Sequence, residues 1–141
     1  MIQRIQTLYL ALGAIALMVI AFMPVIWQGL AAELYNWFVP TTLGGIAAAS
    51  AVAVWSIFMY EDRPRQRKFV LGAQLLTVLV FLIIGGGFYL AGALDVQPEG
   101  QLDWGRLLAL LLPGVAYFFF WMARRAIESD IELVRSMDRL R

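Results

Sequence analysis

Residues Phe69 to Leu94 read FVLGAQLLTVLVFLIIGGGFYLAGAL, a run without a single Asp, Glu, Lys or Arg. A hydrocarbon layer of roughly 30 Å needs about 20 apolar residues in helical form, so this stretch is long enough to cross one. Charges close it on both sides: Glu61-Asp62-Arg63-Pro64-Arg65-Gln66-Arg67-Lys68 before it and Asp95 after it. A helix of a soluble bundle would carry a polar stripe along its length. Here Gln74 and Thr77 interrupt the apolar surface near one end only.

Three more charge-free runs lie to either side. The first extends from Ile5 to about Trp27, stopped by Gln28 and Gly29, with Pro24 expected to end or bend its last turn. It is longer than a signal-peptide core of roughly 7–15 residues and is read as a retained span. The second lies between Val39 and Tyr60, after the break marked by Asn36 and Pro40, and the last covers Leu107 to Ala123. Trp104 and a snorkelling Arg106 extend that last run outward. Spans at about 5–27, 39–60, 69–94 and 104–123 thus make a transmembrane domain over 1–123, followed by a tail over 124–141. The expected fold is an all-α integral membrane protein, a four-transmembrane-helix bundle whose last helix continues as a C-terminal amphipathic helix.

Composition agrees. The 141 residues are 62% hydrophobic and 15% charged, with a mean hydropathy of +0.76. Soluble domains carry about a quarter charged residues, and a chain this short cannot bury so much apolar surface in a core of its own.

Charge asymmetry orients the spans. Arg4, the segment Arg63, Arg65, Arg67 and Lys68, and the tail with Arg124, Arg125, Arg135, Arg139 and Arg141 all fall on one side, leaving Arg106 alone on the other. The opposite loops carry Glu33, Asp95, Glu99 and Asp103. By the positive-inside rule both termini face the cytoplasm, and Arg63, Arg65, Arg67 and Lys68 are topology determinants that meet lipid headgroups. Trp27, Tyr35, Trp37, Tyr89 and Trp104 fall near one boundary, and Tyr9, Trp55, Tyr60 and Trp121 near the other, as two interfacial belts would.

Within lipid, helices associate by close packing. Gly44 with Ala48, Gly45 with Ala49, Ala49 with Ala53, and the triplet Gly85-Gly86-Gly87 are read as packing surfaces; an unwound stretch lining a cavity is the rival reading. Gln3, Gln6, Gln74 and Thr77 are expected to hydrogen-bond between helices, or else to hold a small polar ligand. Pro113, followed by Gly114, removes a backbone bond to Ala109 and is read as a packing kink before a hinge.

Reaction chemistry is missing. Histidine and cysteine are absent, which removes imidazole bases, thiolates and the usual zinc and haem ligands. No ionisable residue interrupts the four apolar stretches between their flanking charges, unlike the sequences of proton relays and pumps. No glycine-rich loop precedes a Lys-Ser or Lys-Thr pair for phosphate binding, and Asp95, Glu99 and Asp103 fit no calcium loop. The chain alone is expected not to be an enzyme and to take no cofactor, metal or nucleic acid.

The tail carries the other informative pattern. Stepped at 100° per residue, Ile127, Ile131 and Val134 cluster with Met137 and Leu140 beside them, opposite Arg124, Glu128, Glu132, Arg135 and Arg139. Arg124 with Glu128 and Glu132 with Arg135 stand at pairing distance along a helix. Asp130 and Asp138 lie close to the apolar arc, which argues against burial in anionic lipid. Ile127, Ile131, Val134, Met137 and Leu140 are therefore the expected docking face for protein: the chain's own basic segment, a second copy, or another subunit.

The opening Met1-Ile2-Gln3-Arg4-Ile5-Gln6-Thr7-Leu8-Tyr9-Leu10 and the closing Ala123-Arg124-Arg125-Ala126-Ile127, Leu133-Val134-Arg135-Ser136 and Asp138-Arg139-Leu140-Arg141 resemble the uncharacterised family called domain of unknown function 4293. The resemblance implies a small four-span membrane protein of Gram-negative bacteria, and it brings no activity or catalytic residue. The expectation is a non-enzymatic accessory or scaffold subunit of the inner membrane. Its surroundings are membrane lipid and a protein partner or homo-oligomer. The alternative is a small channel or carrier for a neutral or lipid-like solute.

Overall fold

The computed structural model describes the backbone of residues 2–140 and the side chains of residues 4–140. Six α-helices follow one another: α1 (Ile2–Ala21), α2 (Pro24–Gln28), α3 (Leu30–Leu34), α4 (Phe38–Ile57), α5 (Arg63–Leu90) and α6 (Trp104–Arg139), with a 3-10 turn at Pro98–Gly100. Among the described residues there is no strand. The four long helices are each long and apolar enough to cross a membrane, which makes the chain a multi-pass membrane protein.

Each long helix packs on two neighbours in the cyclic order α1, α4, α5, α6. Close approaches fix their directions. Gly13 lies against the ring of Phe120, and a methyl group there would drive into that ring. Gly87 meets Phe38 in the same manner, and Gly45 meets Val80. Neighbours therefore run antiparallel, up-down-up-down around a core that includes Leu10, Leu17, Ile20, Ile46, Ala53, Val70, Ala73, Ile84, Ala116 and Phe120. The small residues sort by face. Gly45, Ala49 and Ala53 turn inward, whereas Gly44, Ala47, Ala48 and Ala51 are exposed or face open space. Of the glycine triplet only Gly87 makes a close approach, and α5 stays helical through all of it.

The first apolar run does not form one rod to Trp27. α1 stops at Ala21, because Pro24 has no N–H to donate and its ring clashes with the carbonyl a turn before it. The chain folds over as α2 and α3, which bury Ile26 and Ala31 against that end of the bundle. Trp27 Nε1 donates to the Ala21 carbonyl at 2.7 Å and Tyr35 Oη donates to the Leu90 carbonyl at 3.1 Å, pinning this lid.

At the same end α5 closes with a left-handed Gly92 (φ 67°), which lets Ala93 N donate back to the Phe88 carbonyl at 2.7 Å. Asp103 caps α6, accepting from Arg106 N at 3.1 Å while its other oxygen pairs with Arg106 Nε at 3.0 Å. Asp95 accepts from Gln97 N, and the Asp95 carbonyl accepts from the Arg106 guanidinium. The acidic loop thus spends its charge on turns and caps. α6 continues without interruption through the buried Pro113.

Candidate functional site

The opposite, basic end of the bundle is where the structure builds something beyond packing. The basic segment expected as a loop is helical from Arg63, which starts α5. Asp62 makes this possible. Its side chain accepts from Arg65 N at 3.2 Å and pairs with Arg65 Nε at 3.0 Å, while Pro64 fits the first turn, where its N–H is not required. α5 thereby reaches past the apolar zone alongside α6.

Ion pairs join the two extensions. Arg63 Nε stands 3.0 Å from Asp130 Oδ2, and the Asp130 side chain is only 12% exposed. Glu128 Oε1 receives Arg67 Nη1 at 3.6 Å and Arg124 Nε at 3.8 Å, so one carboxylate links both helices. The Arg125 guanidinium sits over the Trp121 ring, 5.4 Å from its centre. Of the four basic residues assigned to headgroups, Arg63 and Arg67 thus turn to α6 and Arg65 to Asp62, while Lys68 is exposed. The expected pair Arg124–Glu128 forms; Glu132 and Arg135, both exposed, make no ion pair among the described residues.

The tail face divides at Ile131. Ile127 is sealed inside the bundle and Ile131 is half-buried against it, so neither is offered outward as a docking residue. From Glu132 to Leu140 every residue is exposed, including Leu133, Val134, Met137 (70%) and Leu140 (89%). The reason is length: α6 runs past the start of α5 and leaves its last turns without a neighbour. A shallow cleft lined by Tyr60, Pro64, Ile131 and Val134 marks where support ends.

The polar residues meant for interhelical bonding behave differently. The side chain of Gln3 lies outside the described residues. Thr77 is buried but donates to the Ala73 carbonyl of its own helix at 2.8 Å, a bond that a β-branched hydroxyl makes readily at this spacing. Gln6 and Gln74 are buried without meeting. Gly13 on α1 and Gln74 on α5 both lie near the level of Phe120, which leaves Gln6 about two turns nearer the basic end. Gln6 Nε2 and both amide atoms of Gln74 find no hydrogen-bonding partner among the described residues.

Sequence reading assigned no polar role to Gln66, Ser56 and Thr42, and only a small-residue packing role to Ser50; all four are buried. Gln66 was hidden among arginines, yet it sits one helical turn before Val70 on the stripe that continues through Ala73, Thr77, Val80 and Ile84. That spacing was the available signal.

A family model described as Domain of unknown function (DUF4293) matches residues 2–140. No curated protein and no solved structure matches the chain.

Proposed function

We propose a role from one premise, that the chain belongs to the domain of unknown function family DUF4293: it is a non-enzymatic accessory or scaffold subunit of the bacterial inner membrane. Both termini and the basic end face the cytoplasm in this reading. The clustering of Arg63, Arg65, Arg67, Lys68, Arg124 and Arg125 at that end supports the orientation. A protein partner takes the last turns of α6 into a groove, reading the apolar side chains at helical spacing.

One observation carries the proposal: Leu133, Val134, Met137 and Leu140 stand exposed on a helix that has already left its own bundle. Solvated apolar side chains grouped on one helix end mark a surface that gains free energy by being covered. Placing a photo-crosslinking residue at Met137 in native membranes tests it. Capture of a defined polypeptide, lost when Leu133 and Leu140 are both changed to Ser, supports the role. Crosslinks to lipid alone reject it.

A further inference from the structure

We propose that the bundle interior near the basic end binds water at two levels, a lower one at Gln6 and Gln66 and an upper one at Ser50 and Gln74. Gln6, Gln66, Ser50 and Gln74 are all buried, at 4%, 3%, 2% and 1% exposed. Each has unpaired polar atoms: Gln6 Nε2, Gln66 Oε1, Ser50 Oγ, and both Nε2 and Oε1 of Gln74. They fall on two levels. Gly45 against Val80 and Gly72 against Val52 set the register of α4 on α5, and that register brings Ser50 opposite Gln74. Gln66 lies about two turns nearer the basic end, level with Gln6.

Inside a bilayer an unpaired amide or hydroxyl is costly, because no surrounding solvent can bond it. Serines and threonines escape by bonding to their own helix, as Ser56 does to the Ala53 carbonyl and Thr77 to that of Ala73. A glutamine amide has two ends and cannot close both on its own backbone. The occupant must donate to the oxygens of Gln66 and Gln74 and accept from the nitrogens of Gln6 and Gln74. A neutral occupant fits, since the charges beside the lower level, Arg63 with Asp130 and Arg67 with Glu128, already neutralise one another and leave none to balance an ion. Water has both capacities and is the smallest molecule that does.

The upper level is closed above. Leu17, Ile46, Val80 and Ile84 fill the next level, followed by the Phe38 and Phe88 rings at Gly87 and then the lid residues Ile26 and Ala31. Thr42, with an unpaired hydroxyl of its own, lies inside that block, between Ile46 and Phe38 on α4, and Ile46 separates it from the four. Below the upper level, the fully buried Leu10, Ala53, Val70 and Ala123 lie between the two levels, so the upper water is enclosed and the lower one sits nearest the basic end. The inference stands whatever docks on α6.

Solid-state NMR of the full chain in lipid bilayers, with glutamine side-chain nitrogens labelled, tests it by transferring polarisation from water protons. The exposed Gln101 serves as reference and Gln74→Met assigns the signal. The Gln74 and Gln66 amides should build up within about twofold of Gln101, as side chains bonded to bound water do. Gln74→Met, which fills the same space without polar atoms, should melt at a lower temperature than the parent because it strips the bound water of its partners. Build-up only through lipid protons overturns the proposal, and so does a Gln74→Met chain as stable as the parent or more so.

Discussion

The Asp130 carboxylate lies 3.0 Å from the Arg63 guanidinium, tying the first turn of α5 to α6 just beyond Ile127, the last apolar residue of α6 that is fully buried. This contact divides α6 into a supported part and a free part. Asp130 is nearly enclosed, so its charge is stabilised by Arg63 far more than a surface pair would manage.

Asp130→Ala should lower stability by about 1–3 kcal/mol, the range for a hydrogen bond to a charged group. It should also expose Arg135 to trypsin faster. The exchanged pair, Arg63→Asp with Asp130→Arg, should recover most of the loss. Thermal unfolding in detergent and timed proteolysis read both effects.

Close approach gives a second expectation. Gly13→Val pushes two methyl groups toward the Phe120 ring, and Gly87→Val does the same against Phe38. Each should destabilise by about 1–3 kcal/mol through overpacking. Gly44→Val, where nothing lies within reach, should leave the melting temperature nearly unchanged.

The two halves of the tail should respond oppositely to charge. Ile127→Asp places an unpaired carboxylate where the side chain is fully enclosed and should prevent a stable fold. Met137→Asp sits on an exposed turn and should shift stability by less than about 0.5 kcal/mol, while abolishing partner capture. Circular dichroism melts beside the crosslinking assay separate these outcomes.

Orientation is directly measurable because the chain has no cysteine of its own. Arg65→Cys should react with a membrane-impermeant thiol reagent in inside-out vesicles and remain unlabelled in intact spheroplasts. Labelling in spheroplasts would reverse the proposed topology.

The spans were legible because lipid imposes a simple demand, a charge-free run of sufficient length, which Phe69–Leu94 meets on inspection. The end of α1 was legible only as a break at Pro24; that the chain then folds over its own bundle was not, since Phe22 to Trp27 are as apolar as the residues before them. Which glycines pack was likewise hidden. Gly44 and Gly45 look alike in sequence, and only the rotation of α4 against α5 turns one inward. Local pairs such as Arg124 with Glu128 followed from helical spacing. The Arg63–Asp130 link joins residues far apart in sequence, which no local pattern encodes.

At about 1.5 Å per residue, the 36 residues of α6 form a rod of roughly 54 Å, well beyond the thickness of a hydrocarbon layer. Its far end is capped by Asp103 and its stem is tied to α5 by Asp130, beyond which the last turns project free. When bilayer thickness changes, helices adjust by leaning, and this one would swing Met137 and Leu140 sideways as it did. A partner bound there, as proposed, would hold a lever whose base is set by the packing of α6 on α1 and α5.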